Sequence, residues 1–149
     1  MKKFGKRLAH ALSALSFLCI VAAGADSPAY ADGSVSALGM GAGAKGPAEF
    51  ARYGTVIKQY NASGERFRID SECRSACTMF LAIRNVCVVP SATLGFHAGR
   101  TPEATQQMNS TYNAALRAYL KANGAMASRD FHVISGREII NRFGYRACP

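Results

Sequence analysis

The apolar positions change period several times along the chain, and each change marks an expected element. Residues 32–46 are rich in glycine, five in fifteen, with a weak apolar patch at Val35 and Leu38 that reads as a poor strand. Pro47 suits the first position of a helix. Phe50, Tyr53, Ile57 and Tyr60 then recur at helical spacing until Ser63-Gly64. Arg66 to Asp70 alternates as a half-buried strand does. From Ser75, the run Ala76 to Ile83 reads as a buried helix, and Val86 to Val89 as an interior strand stopped by Pro90. Thr93 to His97 suits a further short strand. Thr101-Pro102-Glu103 opens what should be the longest helix, with Met108, Tyr112, Leu116 and Leu120 on one face and Gly124 at its end. The last element carries a capping box, Ser135-x-x-Glu138, before Ile139-Ile140 and Gly144. Strands alternating with helices predict an α/β layered architecture with a small, mostly parallel sheet and flanking helices.

The amino end is patterned differently. Lys2, Lys3, Lys6 and Arg7 precede an uncharged interval, Leu8 to Ala25, whose apolar heart is Leu15, Phe17, Leu18, Ile20 and Val21. Small residues follow at Ala29-Tyr30-Ala31, the pattern of a secretory signal over residues 1–31, cleaved after Ala31. Ala23-Gly24-Ala25 offers a second cut. A membrane anchor needs a longer apolar run than this one, which His10, Ser13 and Ser16 interrupt. Cys19 lacks the small residue before it that a lipoprotein signal requires. The expected organisation is a cleaved signal and one domain over residues 32–149, periplasmic or secreted, with no membrane attachment after cleavage.

Cleavage would remove four of the 18 basic residues and one of the nine acidic ones, lowering the formal charge from +9 to +6. With 49% hydrophobic residues the chain can build a core, and the composition excludes disorder, collagen and coiled coil. The remaining cations are scattered (Arg52, Lys58, Arg66, Arg68, Arg74, Arg84, Arg100), without the clustered stripe that nucleic acid demands. Four cysteines remain after the signal, Cys73, Cys77, Cys87 and Cys148. An even number in an exported chain predicts disulfides, with three pairings open. Zinc is the competing reading, but the Cys73-x-x-x-Cys77 spacing is loose for it.

Chemistry concentrates between Ile69 and Arg100. Ser75 stands where a helix begins, with free backbone N–H groups and the positive end of the helix dipole beside it. That setting suits an N-cap, and equally a nucleophilic hydroxyl facing an oxyanion hole. His97, in Leu94-Gly95-Phe96-His97-Ala98-Gly99, follows an apolar strand and is the natural base for a serine. Its alternative is a core histidine. His132 has no comparable setting, and His10 leaves with the signal.

Cys73-Arg74-Ser75-Ala76-Cys77-Thr78, the apolar helix, Cys87-Val88-Val89-Pro90 and Leu94-Gly95-Phe96-His97 together resemble the exported, Clp-protease-like branch of the ClpP/crotonase superfamily. The resemblance runs from about Gly43 to the carboxyl end. It implies βαβ layers of that superfamily, with Ser75 as nucleophile and His97, 22 residues on, as general base. It further implies Asp130, of the Arg129-Asp130 pair, as the acid orienting His97. The oxyanion donors would be the backbone N–H groups of Ala76 and Gly43, the latter in an Ala42-Gly43 turn where the superfamily has two glycines. Only about eleven residues stand between the expected cleavage point and Gly43, so the superfamily's opening strands have little room.

Gly41-Ala42-Gly43-Ala44-Lys45-Gly46 also fits the G-x-G-x-x-G dinucleotide pattern, with Asp70 ending the next strand. The strand before it, Ser34 to Leu38, is half polar, and an exported chain seldom meets a free dinucleotide. Asn61-Ala62-Ser63 and Asn109-Ser110-Thr111 match a glycosylation sequon and read as polar surface in a bacterial chain. The expected function is therefore an exported serine hydrolase, a peptidase by resemblance, acting on a peptide or protein without cofactor or metal. The alternatives are a catalytically inactive binding or scaffolding protein of the same fold, and a purely structural exported domain in which Ser75 caps and His97 packs. A homo-oligomer is compatible with all three, since the superfamily often builds sites between subunits.

Overall fold

A computed structural model describes residues 33–149; the expected signal, residues 1–31, lies outside them. The described chain is mixed α/β, with two three-stranded sheets and flanking helices. The first sheet is wholly parallel, in the order β1 (Gly33–Ser34), β2 (Phe67–Ile69), β4 (Val86–Val88). The second orders β3 (Glu72–Arg74), β5 (Thr93–Phe96) and β6 (His132–Ser135), with β3 parallel and β6 antiparallel to β5. The single sheet expected from the sequence is thus divided, and β3 and β6 are strands that its hydrophobic pattern did not announce.

Val35–Leu38 is not a strand but one helical turn, α1, capped by the Ser34 hydroxyl on the Ala37 N–H at 3.1 Å and closed by Gly39 in the left-handed conformation. α2 (Pro47–Ser63) is the longest helix, starting at Pro47 as expected and ending at Gly64. It buries Tyr53 and Tyr60 against Phe67 and Phe80. The Tyr53–Phe80 and Phe67–Phe80 ring centroids lie 5.2 and 4.6 Å apart, within the range at which aromatic pairs attract. Ser75–Ala82 is helical but wound as a 3-10 helix, tighter than the α-helix its composition suggested, and its residues 76–81 are all buried.

The helix expected to open at Thr101 is in fact two, α3 (Pro102–Ser110) and α4 (Ala114–Ala122). Asn113 makes the break: its side chain accepts from the Leu116 N–H at 2.9 Å and donates to the Phe143 carbonyl at 2.7 Å. An asparagine held in this way is an N-cap rather than a helix interior. The expected stripe survives the break, because Met108, Tyr112, Leu116 and Leu120 are all buried. α5 (Gly136–Phe143) is capped by Ser135, whose hydroxyl accepts from the Glu138 N–H, and is closed by Gly144.

Two disulfides tie this framework, Cys73–Cys77 and Cys87–Cys148. They resolve the open pairing, leave none of the four thiolates for zinc, and fit an extracellular or periplasmic protein. Among the described residues no helix is long and apolar enough to cross a membrane.

Candidate functional site

The junction between β3 and the 3-10 helix is where the backbone departs most from its ordinary preferences. Ser75, the first helical residue, has φ 55°, the one positive φ outside glycine among the described residues. A side chain in this left-handed region costs about 1–2 kcal/mol, and such residues concentrate at functional sites. The N-cap position is held instead by Arg74, with extended backbone and no side-chain capping bond. Ser75 is therefore not the cap that one reading of the sequence made it. A serine with positive φ at a turn from strand into helix is a feature shared with nucleophile elbows.

Three features hold this turn. The Cys73–Cys77 disulfide brackets Ser75, two residues away on either side. Behind it, the Thr78 hydroxyl bonds the Ser75 carbonyl at 2.7 Å and meets the buried Tyr112 hydroxyl at 2.7 Å. In front lies Gly43, φ 81°, where a Cβ would fall 2.7 Å from the Ser75 Cβ and 2.8 Å from the Arg74 carbonyl. Gly41 is equally confined, since a Cβ there would lie 2.3 Å from the Glu72 carbonyl. The glycines of the G-x-G-x-x-G stretch thus allow the loop to pack against β3 and Ser75. They follow a helical turn rather than a strand, and the Asp70 carboxylate is already taken by the Ser36 N–H at 3.0 Å and hydroxyl at 2.5 Å. A dinucleotide site would need that carboxylate free.

His97 follows β5 and is only 7% exposed, yet neither ring nitrogen has a hydrogen-bond partner. The ring rests on Phe131, centroid to centroid 4.6 Å, and Phe131 in turn lies under the Arg74 guanidinium at 5.4 Å. Burial, and then the charge of Arg129, hold the imidazole below its ordinary pKa, so it is neutral at pH 7. Its chain neighbours are anchored: the Ala98 N–H bonds the Ser128 carbonyl at 2.7 Å and the Gly99 N–H the Thr105 hydroxyl at 2.8 Å.

Ser75 and His97 line one cavity of about 440 Å³, open to solvent between the starts of α2 and α3. The structure so brings together the two residues singled out as nucleophile and base, although no hydrogen bond joins them. The expected acid stands differently. Asp130 is exposed, its N–H bonds the Ser128 hydroxyl at 3.2 Å, and its carboxylate makes no bond to His97. Its neighbours Arg129 and Phe131 line the cavity instead. Gly43 supplies close approach to Ser75, beside the Tyr53 hydroxyl, which donates to the Met40 carbonyl at 2.8 Å. Ala76 is the second residue of the 3-10 helix and is buried.

Arg100, Arg129 and Phe131 on the cavity wall, and Thr78 with Tyr112 behind Ser75, were not singled out by the sequence. Among the described residues no three of His, Cys, Asp and Glu gather as a metal site. No protein-family model matches the chain, and neither does any curated protein or solved structure.

Proposed function

We propose that this chain is an exported serine hydrolase, a peptidase of Clp-protease type, with Ser75 as nucleophile and His97 as general base. The observation that carries the reading is the pairing of a strained, helix-starting serine with a buried, unpartnered, neutral histidine on one cavity wall. The order of strand, serine, helix, strand and histidine supports membership of the ClpP/crotonase superfamily.

In the first half-reaction Ser75 Oγ attacks the substrate carbonyl carbon while its proton passes to a His97 ring nitrogen. The Ala76 N–H stabilises the negative oxygen of the tetrahedral intermediate. The carbon–nitrogen or carbon–oxygen bond then breaks, and His97 returns the proton to the departing amine or alcohol. In the second half, water gives a proton to His97 and its oxygen to the acyl carbon. The carbon–Oγ bond breaks, Ser75 recovers its proton, and a carboxylic acid leaves. No cofactor takes part. With no carboxylate on His97, the imidazolium formed midway lacks a partner and turnover is slow. That same vacancy favours the second reading, a binding or scaffolding protein that keeps the fold without the chemistry.

The test incubates the oxidised protein and its Ser75→Ala variant with a fluorophosphonate probe and reads intact mass. One adduct on the wild type alone is expected. A folded, oxidised wild type that stays unlabelled overturns the hydrolase reading and leaves the binding one.

A further inference from the structure

The charge around this cavity is predominantly positive, two arginines against one glutamate. Arg100 and Arg129 both line it, and neither takes part in the ion pairs seen among the described residues, which are Arg74–Glu72 and Arg142–Glu138. α2 and α3 both begin on the cavity wall, at Gly46–Pro47 and Thr101–Pro102, and direct the positive ends of their dipoles there. Gly46 gives α2 no side-chain cap. The sole acid on the wall, Glu103, is held by its own N–H and the Thr101 hydroxyl at the start of α3. His97 adds two unpartnered ring nitrogens at a depth where polar groups are nearly always bonded. Ser75, Thr101 and Gln107 are the other polar residues of the wall, and its apolar part is chiefly Phe50, Met108 and Phe131.

We infer that the cavity takes an acyl or peptidyl group bearing a carboxylate, which Arg100 and Arg129 hold while its apolar part lies against Phe50 and Met108. The inference deepens the hydrolase reading by naming a substrate class, and rests on that reading for turnover though not for binding. Arginine suits the task because its planar donor fork matches a carboxylate and stays charged at every working pH. A volume of about 440 Å³ accommodates a ligand of short-peptide size.

Binding and turnover are tested separately on the oxidised full chain. Calorimetry on the Ser75→Ala variant compares glutaryl 4-nitroanilide with its methyl ester, which differs only in the masked carboxylate. The free acid should bind about tenfold more tightly, the value of one charge-assisted hydrogen bond. Arg100→Gln with Arg129→Gln, both exposed positions that the fold tolerates, should erase that ratio. Equal affinity for the two compounds, or binding of neither, overturns the inference. Wild-type hydrolysis of the matching 4-nitrophenyl esters then separates the two proposals. Cleavage of both esters at equal rates keeps the hydrolase and overturns the carboxylate preference. Preferential binding with cleavage of neither keeps the preference and overturns the hydrolase.

Discussion

Gly43 presses so closely on Ser75 that a methyl group on it would meet the Ser75 Cβ at 2.7 Å. Two independent reasons therefore demand glycine, since Gly43 also has φ 81°. The facing atoms are backbone and Cβ, which have no flexible end to move aside. Gly43→Ala should cost about 1–2 kcal/mol from backbone conformation alone and should push Ser75 out of its strained turn. Fluorophosphonate labelling of Ser75 is expected to fall at least about tenfold, the equivalent of about 1.4 kcal/mol. Gly64→Ala, at φ 75° with open space around it, should carry the backbone cost without the loss of labelling. Equal labelling of both variants would show that the contact does not shape Ser75.

The two disulfides should separate stability from site geometry. Cys87–Cys148 closes a span of 61 residues and Cys73–Cys77 a span of four. The chain-entropy relation gives about 4 kcal/mol for the long loop and about 2 kcal/mol for the short one. Paired serine substitutions should accordingly lower the denaturation midpoint more at 87/148 than at 73/77. Probe labelling should respond in the opposite order, because only Cys73–Cys77 brackets Ser75. Reduction of the denatured chain should release four thiols from these residues. An increment of zero would mean that neither bridge forms.

The sequence made the helix ends legible because they are written in local chemistry. Pro47, Gly64, the Ser135–Glu138 box and Gly144 all fall where capping rules put them. Ser75 and His97 were legible because a helix start after a strand and an apolar strand end bring polar groups to the same edge of a layer. β3 and β6 were not. Three residues reading Glu-Cys-Arg show no alternation of apolar side chains, and β6 buries only Ile134 of its four positions. Their strand character comes from pairing with β5, a long-range contact that no local pattern encodes. Asn113 misled for a similar reason, since the Phe143 carbonyl that fixes its side chain lies 30 residues away. Asp130 lies between two residues that line the cavity, but in the bend before β6 it is itself exposed.

Thr78 and Tyr112 form a relay that the core keeps dry. Burial pushes the Tyr112 hydroxyl well above its usual pKa, so it stays protonated. Because the Thr78 proton goes to the Ser75 carbonyl, the shared 2.7 Å bond has Tyr112 as donor. Tyr112→Phe removes that donor and leaves Thr78 on Ser75, a loss of about 1 kcal/mol. Thr78→Val removes both bonds and strands the Tyr112 hydroxyl in the core, which should cost about 2–4 kcal/mol when the lost bond and the desolvated group are combined. In the double variant the stranded hydroxyl is gone, so part of the Thr78→Val cost should be recovered. Chemical denaturation of the three variants checks this cycle, and strict additivity would show that the two hydroxyls do not communicate.

His97 fixes the expected pH dependence. In the unfolded chain a histidine titrates near 6.5, whereas burial first and Arg129 second hold it lower in the fold. Between those two values the unfolded chain binds the extra proton and the folded one does not. Stability should therefore rise with pH through this window, be complete above about pH 6.5, and be lost as pH falls toward the folded value. His97→Gln should flatten that slope in denaturation midpoints measured from pH 5 to 8. Activity should follow the same group, since only neutral imidazole can take the Ser75 proton, so the acid limb of the labelling rate should lie below the ordinary histidine value. Arg129→Gln removes the second cause and should move that limb toward higher pH without abolishing labelling. An acid limb at or above the ordinary value in the wild type would mean that burial does not lower the titrating group. One that Arg129→Gln leaves in place would mean that Arg129 does not act on it. A limb that survives unchanged in His97→Gln would mean that His97 is not the group accepting the proton.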